Sequence, residues 1–360
     1  MSLKKFLTGF GIIAIALTLL PLIPADYWWI RMFDFPHIQL TSLTLLAILV
    51  YYIKFDFKDL KDYAFVTILI TCFIFQFSKI APYTPFYKKQ VLDATTNNST
   101  SAIKVLTANV LQKNENDNKL KAIINEMDAD VIVFTEANTR WRNAIVQSIS
   151  SEYMYKVELP LENTYGILMY SKLELVNPEV KFLVTDSIPS IHSKVRLPSG
   201  DLAQIYAIHP TPPMPQENPL STDRDAELMM TSELARNSRI PVIVIGDFND
   251  VAWSPTTLLF QATSELLDVR VGRGFYNTFD ATKFLLRWPL DHVFVSPEFR
   301  VAELRVGNSI ESDHYPYYVA LTYEPEDAKH QMPTPATKEQ LKKAQEQLDK
   351  LRTKEASGAE

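Results

Sequence analysis

The sequence contains a single cysteine, Cys72, among its 360 residues. One cysteine excludes an intramolecular disulfide and a metal site built from several cysteines. The chain also lacks a Lys/Arg-rich run, whereas a non-specific binder of duplex nucleic acid usually shows a basic stripe. Its formal charge is +3 over residues 1–100, −8 over residues 101–323 and −1 over residues 324–360. The acidic central segment therefore offers long polyanions little overall attraction.

Charged residues are also absent from three long stretches near the N-terminus, at 6–25, 36–53 and 63–78. A helix needs about 20 predominantly apolar residues, with a range of about 17–25, to span a bilayer. The first two stretches have this length, and the third reaches it if Lys79 snorkels. Residues 1–87 are therefore predicted to form a membrane region with three transmembrane helices. Core helices of a soluble protein are the alternative, as is a cleaved signal peptide for residues 1–25.

The flanking cations predict the orientation of this region, because lysine and arginine are enriched on the cytoplasmic side. Lysines precede the first helix and separate the second from the third (Lys4, Lys5, Lys54, Lys58 and Lys61). The loop between the first two helices carries the interfacial aromatics Tyr27, Trp28 and Trp29 instead. We therefore expect a multi-pass protein of the cytoplasmic membrane, with everything after the third helix outside the cytoplasm. Lysines at 79, 88 and 89 argue in the opposite direction.

Residues 88–102 are polar and aperiodic, as expected for a linker. From residue 103 to residue 323, apolar strands alternate with amphipathic helices, which indicates a sheet-rich α/β domain. Strands are predicted at 103–108, 131–136, 166–171, 203–210, 242–247, 292–296 and 315–323, and helices at 120–127, 141–149 and 221–237. The tail, 324–360, is rich in proline and charge and ends in a short amphipathic helix. Thr337 and Gln340 fit a capping box at the start of that helix.

Polar side chains recur where the predicted strands end. Asp247 and Asn249 follow the apolar run 242–245, and their side chains point the same way because direction repeats every second residue. An oxygen-rich ledge of this kind suits a water, a phosphate or a hard metal ion, although an Asx-rich turn is the alternative. Similar residues stand at the other strand ends: Asn109, Glu136, His209, Asp291, Asp313 and His314. Ligands of open sheets bind at such an edge.

Five short motifs carry a family resemblance: TANV at 107–110, FTE at 134–136, GDFN at 246–249, LDHVFVS at 290–296 and SDH at 312–314. In this order they resemble the endonuclease/exonuclease/phosphatase superfamily of metal-dependent phosphoesterases. HPTPP at 209–213 is similar to the variant in membrane-anchored bacterial members. The resemblance covers roughly residues 103–323 and implies a four-layer α/β sandwich, in which two packed mixed sheets are flanked by helices. Here the N-terminal transmembrane region would precede it.

The resemblance also implies a metal ion and an attacking water. Glu136 would be the main ligand of Mg²⁺ or Mn²⁺, assisted by Asn109 and Asp313. Asp247 would orient or deprotonate the water, and Asn249 would hold the water or the phosphate. A sparse ligand set is chemically adequate, because Mg²⁺ keeps several waters and takes only one or two carboxylates.

Two histidines would complete the implied machinery. His209 and His314 would donate to non-bridging phosphoryl oxygens, and Asp291 would orient and charge the imidazole of His314. His292 follows Asp291 directly, so strand alternation sends it to the opposite face, where a structural role is expected.

These observations predict a membrane-anchored, divalent-metal-dependent phosphoesterase. Nucleic acid, phospholipid and soluble phosphate esters all remain candidate substrates. The acidic domain and the short linker favour a small or membrane-borne ester over duplex DNA. A local basic cluster (Arg270, Arg273, Lys283 and Arg287) keeps a membrane-anchored nuclease as an alternative. A non-catalytic binding or scaffold protein that retains the fold is the alternative from another class.

Overall fold

The structure is a computed structural model that describes residues 2–96 and 99–357. Residues 97–98 of the predicted linker and 358–360 of the predicted tail lie outside the described residues. In the N-terminal region, three helices are long and apolar enough to cross a membrane, at Leu3–Leu22, His37–Lys54 and Leu60–Tyr83 with their terminal turns included. These candidate spans have the length and apolar composition that the charge-free stretches predict.

The helices of the N-terminal region are α1 (Leu3–Leu19), α2 (Trp28–Arg31), α3 (His37–Tyr51) and α4 (Leu60–Ile80). The strands that follow are β1 (Ala102–Asn109), β2 (Val131–Thr135), β3 (Tyr155–Leu159), β4 (Ile167–Ser171), β5 (Leu175–Phe182), β6 (Pro189–Arg196), β7 (Leu202–Ile208), β8 (Val242–Asp247), β9 (Leu267–Asp268), β10 (Asp291–Val295), β11 (Phe299–Val306) and β12 (Tyr317–Tyr323). The helices between and after them are α5 (Asn118–Met127), α6 (Thr139–Ser148), α7 (Thr222–Arg236), α8 (Pro255–Ser264) and α9 (Lys338–Ser357).

Helix α4 is longer than the charge-free stretch that predicted it. Its first turn contains Asp62, which is buried and accepts hydrogen bonds from Lys4 Nζ at 2.7 Å and from the Tyr51 hydroxyl at 2.9 Å. Because the charge is paired inside the bundle of α1, α3 and α4, the helix can begin at Leu60. Counting only uncharged residues therefore underestimates the length of this helix.

Two six-stranded sheets form the domain that follows. Their strand orders are β11-β12-β1-β2-β4-β3 and β5-β6-β7-β8-β10-β9. Apolar side chains from both sheets meet in a shared core, α5 and α6 cover the outer face of the first sheet, and α7 and α8 cover the second. This arrangement of helices, sheet, sheet and helices is the predicted four-layer α/β sandwich.

Strand β8 shows why an uninterrupted apolar run belongs in the middle of this sandwich. Ile243 and Ile245 point into the core between the sheets, whereas Val242 and Val244 point into the layer of α7 and α8. Alternate side chains therefore meet apolar partners on both faces, as sequence analysis predicts for a doubly buried strand.

Five strands are not predicted by the sequence pattern, and four of them are the edges of the two sheets: β3, β5, β9 and β11. Edge strands have an exposed margin and need no continuous apolar run. Strand β5 illustrates this, because most of its residues are partly or fully exposed. The inner strand β6 and helix α8 are also not predicted by the sequence pattern.

Residues 88–96 and the tail helix are both docked on the sandwich. Val91 is fully buried in the core between the sheets, and the Ala94 N–H donates to Val301 O at 2.9 Å. Helix α9 packs Leu348 and Leu351 toward α7 and α8, after a capping box in which the Gln340 N–H donates to Thr337 Oγ1 at 3.2 Å. The 88–96 segment is therefore held against the domain, not free as an extended tether.

Gly246, the fifth residue of β8, is predicted to be intolerant of a side chain. It has a φ of +142°, and a Cβ added there would lie 2.0 Å from Ile208 O in the neighbouring strand. Gly246→Ala should therefore lower the midpoint of thermal unfolding of the detergent-solubilised protein. Gly200→Ala is the matched control, because Gly200 has a φ of +95° but no neighbour within 4 Å of an added Cβ.

Gly200→Ala should cost only the backbone strain, on the order of 1–3 kcal/mol. Gly246→Ala should lower the midpoint further, because the contact with the backbone of β7 adds to the strain. Equal losses in the two variants would show that the approach of β7 does not constrain Gly246.

Candidate active site

Two pairs of parallel strands bring four of the predicted residues to one edge of the sandwich. Strands β1 and β2 are parallel neighbours in the first sheet, and β7 and β8 are parallel neighbours in the second. Parallel strands end on the same side, so Asn109 and Glu136 lie at the end of one pair and His209 and Asp247 at the end of the other.

Antiparallel strands bring the remaining residues to the same edge at their beginnings. Asp291 starts β10 and is paired directly opposite Asp247. Strand β12 runs antiparallel to β1, which places the preceding residues Asp313 and His314 beside the end of β1. The structure thus brings together all eight residues of the predicted site: Asn109, Glu136, His209, Asp247, Asn249, Asp291, Asp313 and His314.

Asn109 links the two sheets. Its Nδ2 group donates to Glu136 Oε1 at 2.9 Å and to Asp247 Oδ2 at 3.1 Å. Its Oδ1 accepts from the Leu111 N–H at 2.9 Å, so the amide nitrogen faces the carboxylates. Glu136 adopts a φ of +57°, where the chain passes so close to Gly166 that a Cβ there would lie 1.9 Å from Ala137 O. This tight turn aims Glu136 at Asn109.

Asp247 and Asn249 are held together by the turn after β8. Asp247 Oδ1 accepts from the Asn249 N–H at 2.9 Å, and Asn249 Nδ2 donates to Pro210 O at 2.9 Å. Asn249 has a φ of +51°, a conformation that asparagine tolerates better than most residues. The turn leaves Asp247 fully buried beneath the site and Asn249 on the wall of a cavity.

His314 lies between two buried carboxylates. Its Nδ1–H donates to Asp291 Oδ2 at 2.8 Å, and its Nε2 lies 3.5 Å from Asp247 Oδ2. Burial alone would lower the pKa of His314, but the charges of Asp247 and Asp291 raise it to about 10. The imidazole is therefore a cation at neutral pH.

Ligand atoms of His314, Asp247 and Asp291 lie within 4.8 Å of one another, a spacing that could suit a metal ion. A protonated imidazole, however, carries a proton where a metal ligand would present a lone pair. This group is therefore better described as a histidine cation paired with two carboxylates.

His209 has the opposite character. It is buried, its Nε2 lies 3.8 Å from Asp247 Oδ2, and burial lowers its pKa. Its Nδ1 has no hydrogen-bond partner among the described residues. The ring of Tyr165 lies 5.6 Å from the His209 ring, centroid to centroid. The two histidines therefore supply one neutral and one charged imidazole to the same space.

The Glu136 side of the site has the chemistry expected of a hard-metal site. Glu136 and Asp313 both line the cavity, and burial, together with the nearby charge of Asp313, raises the pKa of Glu136. A carboxylate whose ionisation is opposed by burial and by a neighbouring negative charge is stabilised by a nearby cation. Carboxylate oxygens are also the ligands that Mg²⁺ prefers. The residues present therefore fit a divalent cation.

Five of the eight residues line a cavity of about 520 Å³: Glu136, His209, Asn249, Asp313 and His314. Its walls are largely apolar and aromatic, and they come from three distant parts of the chain: Trp28, Met32 and Phe35; Pro212, Pro213 and Met214; Phe279, Trp288 and Leu290. The sequence pattern predicts Trp28 only as an interfacial aromatic and gives no indication that Tyr165, Met32 and Phe35 line the cavity. No motif marks these side chains, because only the tertiary fold brings their segments to the site.

Two of the four cations in the basic cluster that kept a nuclease as an alternative have structural partners. Arg270 is fully buried and pairs with Asp268 at 3.2 Å. Arg273 pairs with Asp93 at 2.6 Å, in the segment that precedes β1. Lys283 and Arg287 lie apart from these two, in the loop after Phe279. The structure therefore does not assemble the four cations into one surface.

Asp291→Asn is predicted to lower the pKa of His314 in the metal-free protein. Asparagine can still accept the hydrogen bond from Nδ1–H, but it removes one of the two charges that stabilise the imidazolium. The fall should be about 1–3 pH units, the usual effect of one close charge. It can be followed by NMR titration with selectively labelled histidine. His192, whose pKa burial lowers to about 4, lies on β6 and should titrate as before. An unchanged His314 titration would mean that Asp247 alone charges the ring.

Comparison with known proteins identifies the architecture. A model of the Endonuclease/Exonuclease/phosphatase family matches residues 106–314. A solved structure of D. rerio TDP2 with a single-strand DNA product is similar at a TM-score of 0.53 and 15% identity, covering 62% of this chain and 99% of that chain. A conserved Enterococcus faecalis protein described as functionally unknown is similar at a TM-score of 0.51 and 14% identity, covering 62% of this chain and 100% of that chain. At such identities the structural likeness shows the fold alone. A search of curated proteins finds no match.

Proposed function

Because the chain belongs to the Endonuclease/Exonuclease/phosphatase family, whose members are hydrolases that act on phosphate esters, we propose that it is a membrane-anchored, divalent-metal-dependent phosphoesterase. The observation that carries this proposal is the convergence of all eight predicted polar residues at one cavity, which five of them line and the other three contact through hydrogen bonds or close ion pairs. A degenerate member that serves only as a scaffold would be expected to lack some of them. The completeness of the set favours catalysis over binding alone.

The proposed water-activating group is Asp247. It is buried, and its Oδ2 lies near three nitrogen atoms, those of Asn109 at 3.1 Å, His314 at 3.5 Å and His209 at 3.8 Å. These neighbours hold the carboxylate in one place, so that it can orient an attacking water and accept its proton. Asn249, fixed by Pro210, would hold the water or a phosphoryl oxygen.

The two imidazoles would stabilise the phosphoryl group as negative charge moves during the reaction. His314 brings a full positive charge, and Asp291 fixes the orientation of its ring. His209 brings a neutral N–H donor. Such preorganised groups act most strongly in a site from which water is largely excluded. Both rings are at least nine-tenths buried, which meets that condition.

Glu136 and Asp313 would hold the cation, which we propose to be Mg²⁺ or Mn²⁺. When bound, a divalent ion supplies charge to the phosphoryl oxygens and orients the substrate. Asn109 was predicted as an additional ligand, and it could present its oxygen only if its amide group turned over. In the present arrangement it instead fixes Glu136 relative to Asp247.

We further propose that the protein lies in the cytoplasmic membrane with the catalytic domain outside the cytoplasm. The helix ends nearest the domain are at Leu22, His37 and Tyr83. The opposite ends carry the lysines that the positive-inside rule assigns to the cytoplasm. The proposed substrate is a small or lipid-borne phosphate ester. A nuclease is the second candidate, supported by the DNA-bound neighbour's fold, but the acidic domain and the dispersed basic cluster favour the first.

Substitutions at Asp247 and Glu136 are predicted to distinguish the residue that activates the water from the residue that binds the metal. With full-length protein, Mg²⁺ and bis-para-nitrophenyl phosphate as a generic diester, Asp247→Asn should lower kcat on the order of 10²-fold or more, the scale of a general base. Its Mg²⁺ affinity by calorimetry should be retained. Glu136→Gln should weaken Mg²⁺ binding and activity together, and high Mg²⁺ should restore part of the activity.

Glu152→Gln is the matched control, because the Glu152 side chain is 70% exposed and lies beside Lys172, outside the site. It should match the unmodified protein in both measurements. Near-normal turnover by Asp247→Asn would place the base elsewhere, and unchanged metal affinity in Glu136→Gln would contradict the ligand assignment.

The topology is predicted to be visible with reporter fusions. A reporter that is active only outside the cytoplasm should be active when fused after Tyr323 and silent when fused at Lys58. The physical reason is the cluster of lysines at the ends of the spans farthest from the domain. The reverse pattern would place the catalytic domain in the cytoplasm.

A further inference from the structure

The loop that joins the first two spans, residues 23–36, is part of the catalytic domain's surface. It is anchored by backbone and indole hydrogen bonds: the Trp28 N–H donates to Pro219 O at 2.9 Å, and Trp253 Nε1–H donates to Asp34 O at 2.9 Å. Inside the loop, Arg31 is buried and donates to Asp34 at 3.2 Å and to Ala25 O at 2.8 Å. We call this segment the interspan loop. Its shape is fixed from both sides.

The interspan loop supplies one wall of the catalytic cavity, through Trp28, Met32 and Phe35. Phe35 is only two residues before His37, where the second span begins. A residue so close to the start of a span must lie near the membrane surface, because each residue extends the chain by at most about 3.3–3.6 Å. This wall of the cavity therefore lies beside the bilayer.

A second segment, residues 279–288, has an apolar tip that lies beside the start of the second span. We call it the aromatic hairpin, because Phe279 and Trp288 pair at its base. Gln39, in the first turn of the second span, donates to Leu285 O at 2.7 Å and accepts from Trp288 Nε1–H at 3.3 Å. The tip is therefore hydrogen-bonded to the first turn of the second span, at the end of that span nearest the catalytic domain.

The side chains of this tip suit the surface of a bilayer. Phe284 is 85% exposed and Leu285 is 73% exposed, and the cations Lys283 and Arg287 flank them. Adjacent large apolar side chains with this exposure are costly in water but can enter the interfacial layer. The flanking cations would then meet lipid phosphates.

At its base, the aromatic hairpin joins the interspan loop and the polar residues of the cavity. The ring of Trp288 meets Phe35 edge to face at 5.8 Å, and the ring of Phe279 lies 4.9 Å from that of His314. One continuous apolar surface thus runs from the membrane end of the second span to the protonated histidine.

From this geometry we propose that the substrate is a phosphate ester of a lipid that resides in the same bilayer. Its apolar chain would lie along the wall of Trp28, Met32 and Phe35, and its phosphate would reach the polar residues of the cavity. Water oxygen would form a bond to phosphorus as the bond from phosphorus to the ester oxygen breaks. The leaving oxygen would receive one proton of the water, and the second would remain on the phosphate product or pass to solvent. This inference rests on the proposed phosphoesterase function.

The test is competition in vesicles of phosphatidylcholine that contain the full-length protein. Turnover of bis-para-nitrophenyl phosphate is measured while phosphatidic acid or phosphatidylglycerol is added as the dioleoyl or the dihexanoyl form. For at least one head group, the dioleoyl form should inhibit at a concentration about tenfold or more below that of the dihexanoyl form, because its longer chains favour the apolar surface. The double variant Phe284→Asp, Leu285→Asp should lose this difference and keep its turnover of the soluble ester.

A second measurement reports position without activity. In a Cys72→Ser background, an environment-sensitive fluorophore on Phe284→Cys should shift toward its apolar spectrum and be quenched by brominated lipid. The matched control is Met154→Cys, because Met154 is 72% exposed but lies just before β3, outside the interspan loop and the hairpin. Its label should behave as in water, and Met154→Asp should leave the competition unchanged.

The outcomes distinguish the proposed phosphoesterase function from the proposed lipid substrate. Absence of metal-dependent turnover of the soluble ester would remove the phosphoesterase itself. Normal turnover with equal inhibition by long and short chains, or with the label at 284 in water, would overturn the lipid substrate and leave the phosphoesterase standing. Efficient DNA cleavage that falls steeply as salt rises would also overturn it, because it would show a surface that follows phosphates.

Discussion

The hydrogen bonds of the Asn109 side chain connect the two sheets at the candidate active site, and the arrangement of the site depends on this connection. Glu136 belongs to one sheet and Asp247 to the other, and the amide of Asn109 donates to both. A second polar link is the hydrogen bond from His314, just before β12 of the first sheet, to Asp291 of β10 in the second sheet. The core between the sheets is otherwise apolar, and such contacts are not directional. Of these two links, the amide of Asn109 is the one that joins the proposed metal ligand Glu136 directly to the proposed water-activating Asp247.

The negative charges near Asn109 are offset by a paired histidine cation. Asp247 and Asp291 share the proton-bearing His314, whereas His209, with fewer charged neighbours, stays neutral. Isolated carboxylates at this depth would be costly, so a buried cation offsets them. Near Glu136, a divalent ion would offset the negative charge, as the imidazolium of His314 does beside Asp247.

The membrane region and the active site are also connected through buried ions. Asp34 of the interspan loop lies close enough to Asp250 that burial, followed by the charge of Asp250, raises the pKa of Asp34 to about 7. Arg224 lies 3.4 Å from Asp250 Oδ2 and donates to Asn249 O at 3.0 Å. The interspan loop thus lies beside Asp250, whose partner Arg224 holds the backbone of the turn that carries Asn249. The apolar N-terminal helices and the candidate active site therefore form one structure, and the proposal of a lipid substrate rests on this connection.

The sequence by itself determined the features that depend on local pattern. Long charge-free runs identify the three spans, doubly buried strands such as β8 appear as β-branched runs, and polar residues at strand ends, read with the motifs, point to Glu136, Asp247 and His314. Among the edge strands, β5 is largely exposed and β9 has only two residues, so no apolar run marks either of them. Only the tertiary structure decided the charge of each histidine, since that charge depends on which carboxylates approach the ring. It alone also placed Trp28, Met32 and Phe35 in the cavity wall. Their contacts with the site join residues far apart in the chain, and no local pattern encodes such contacts.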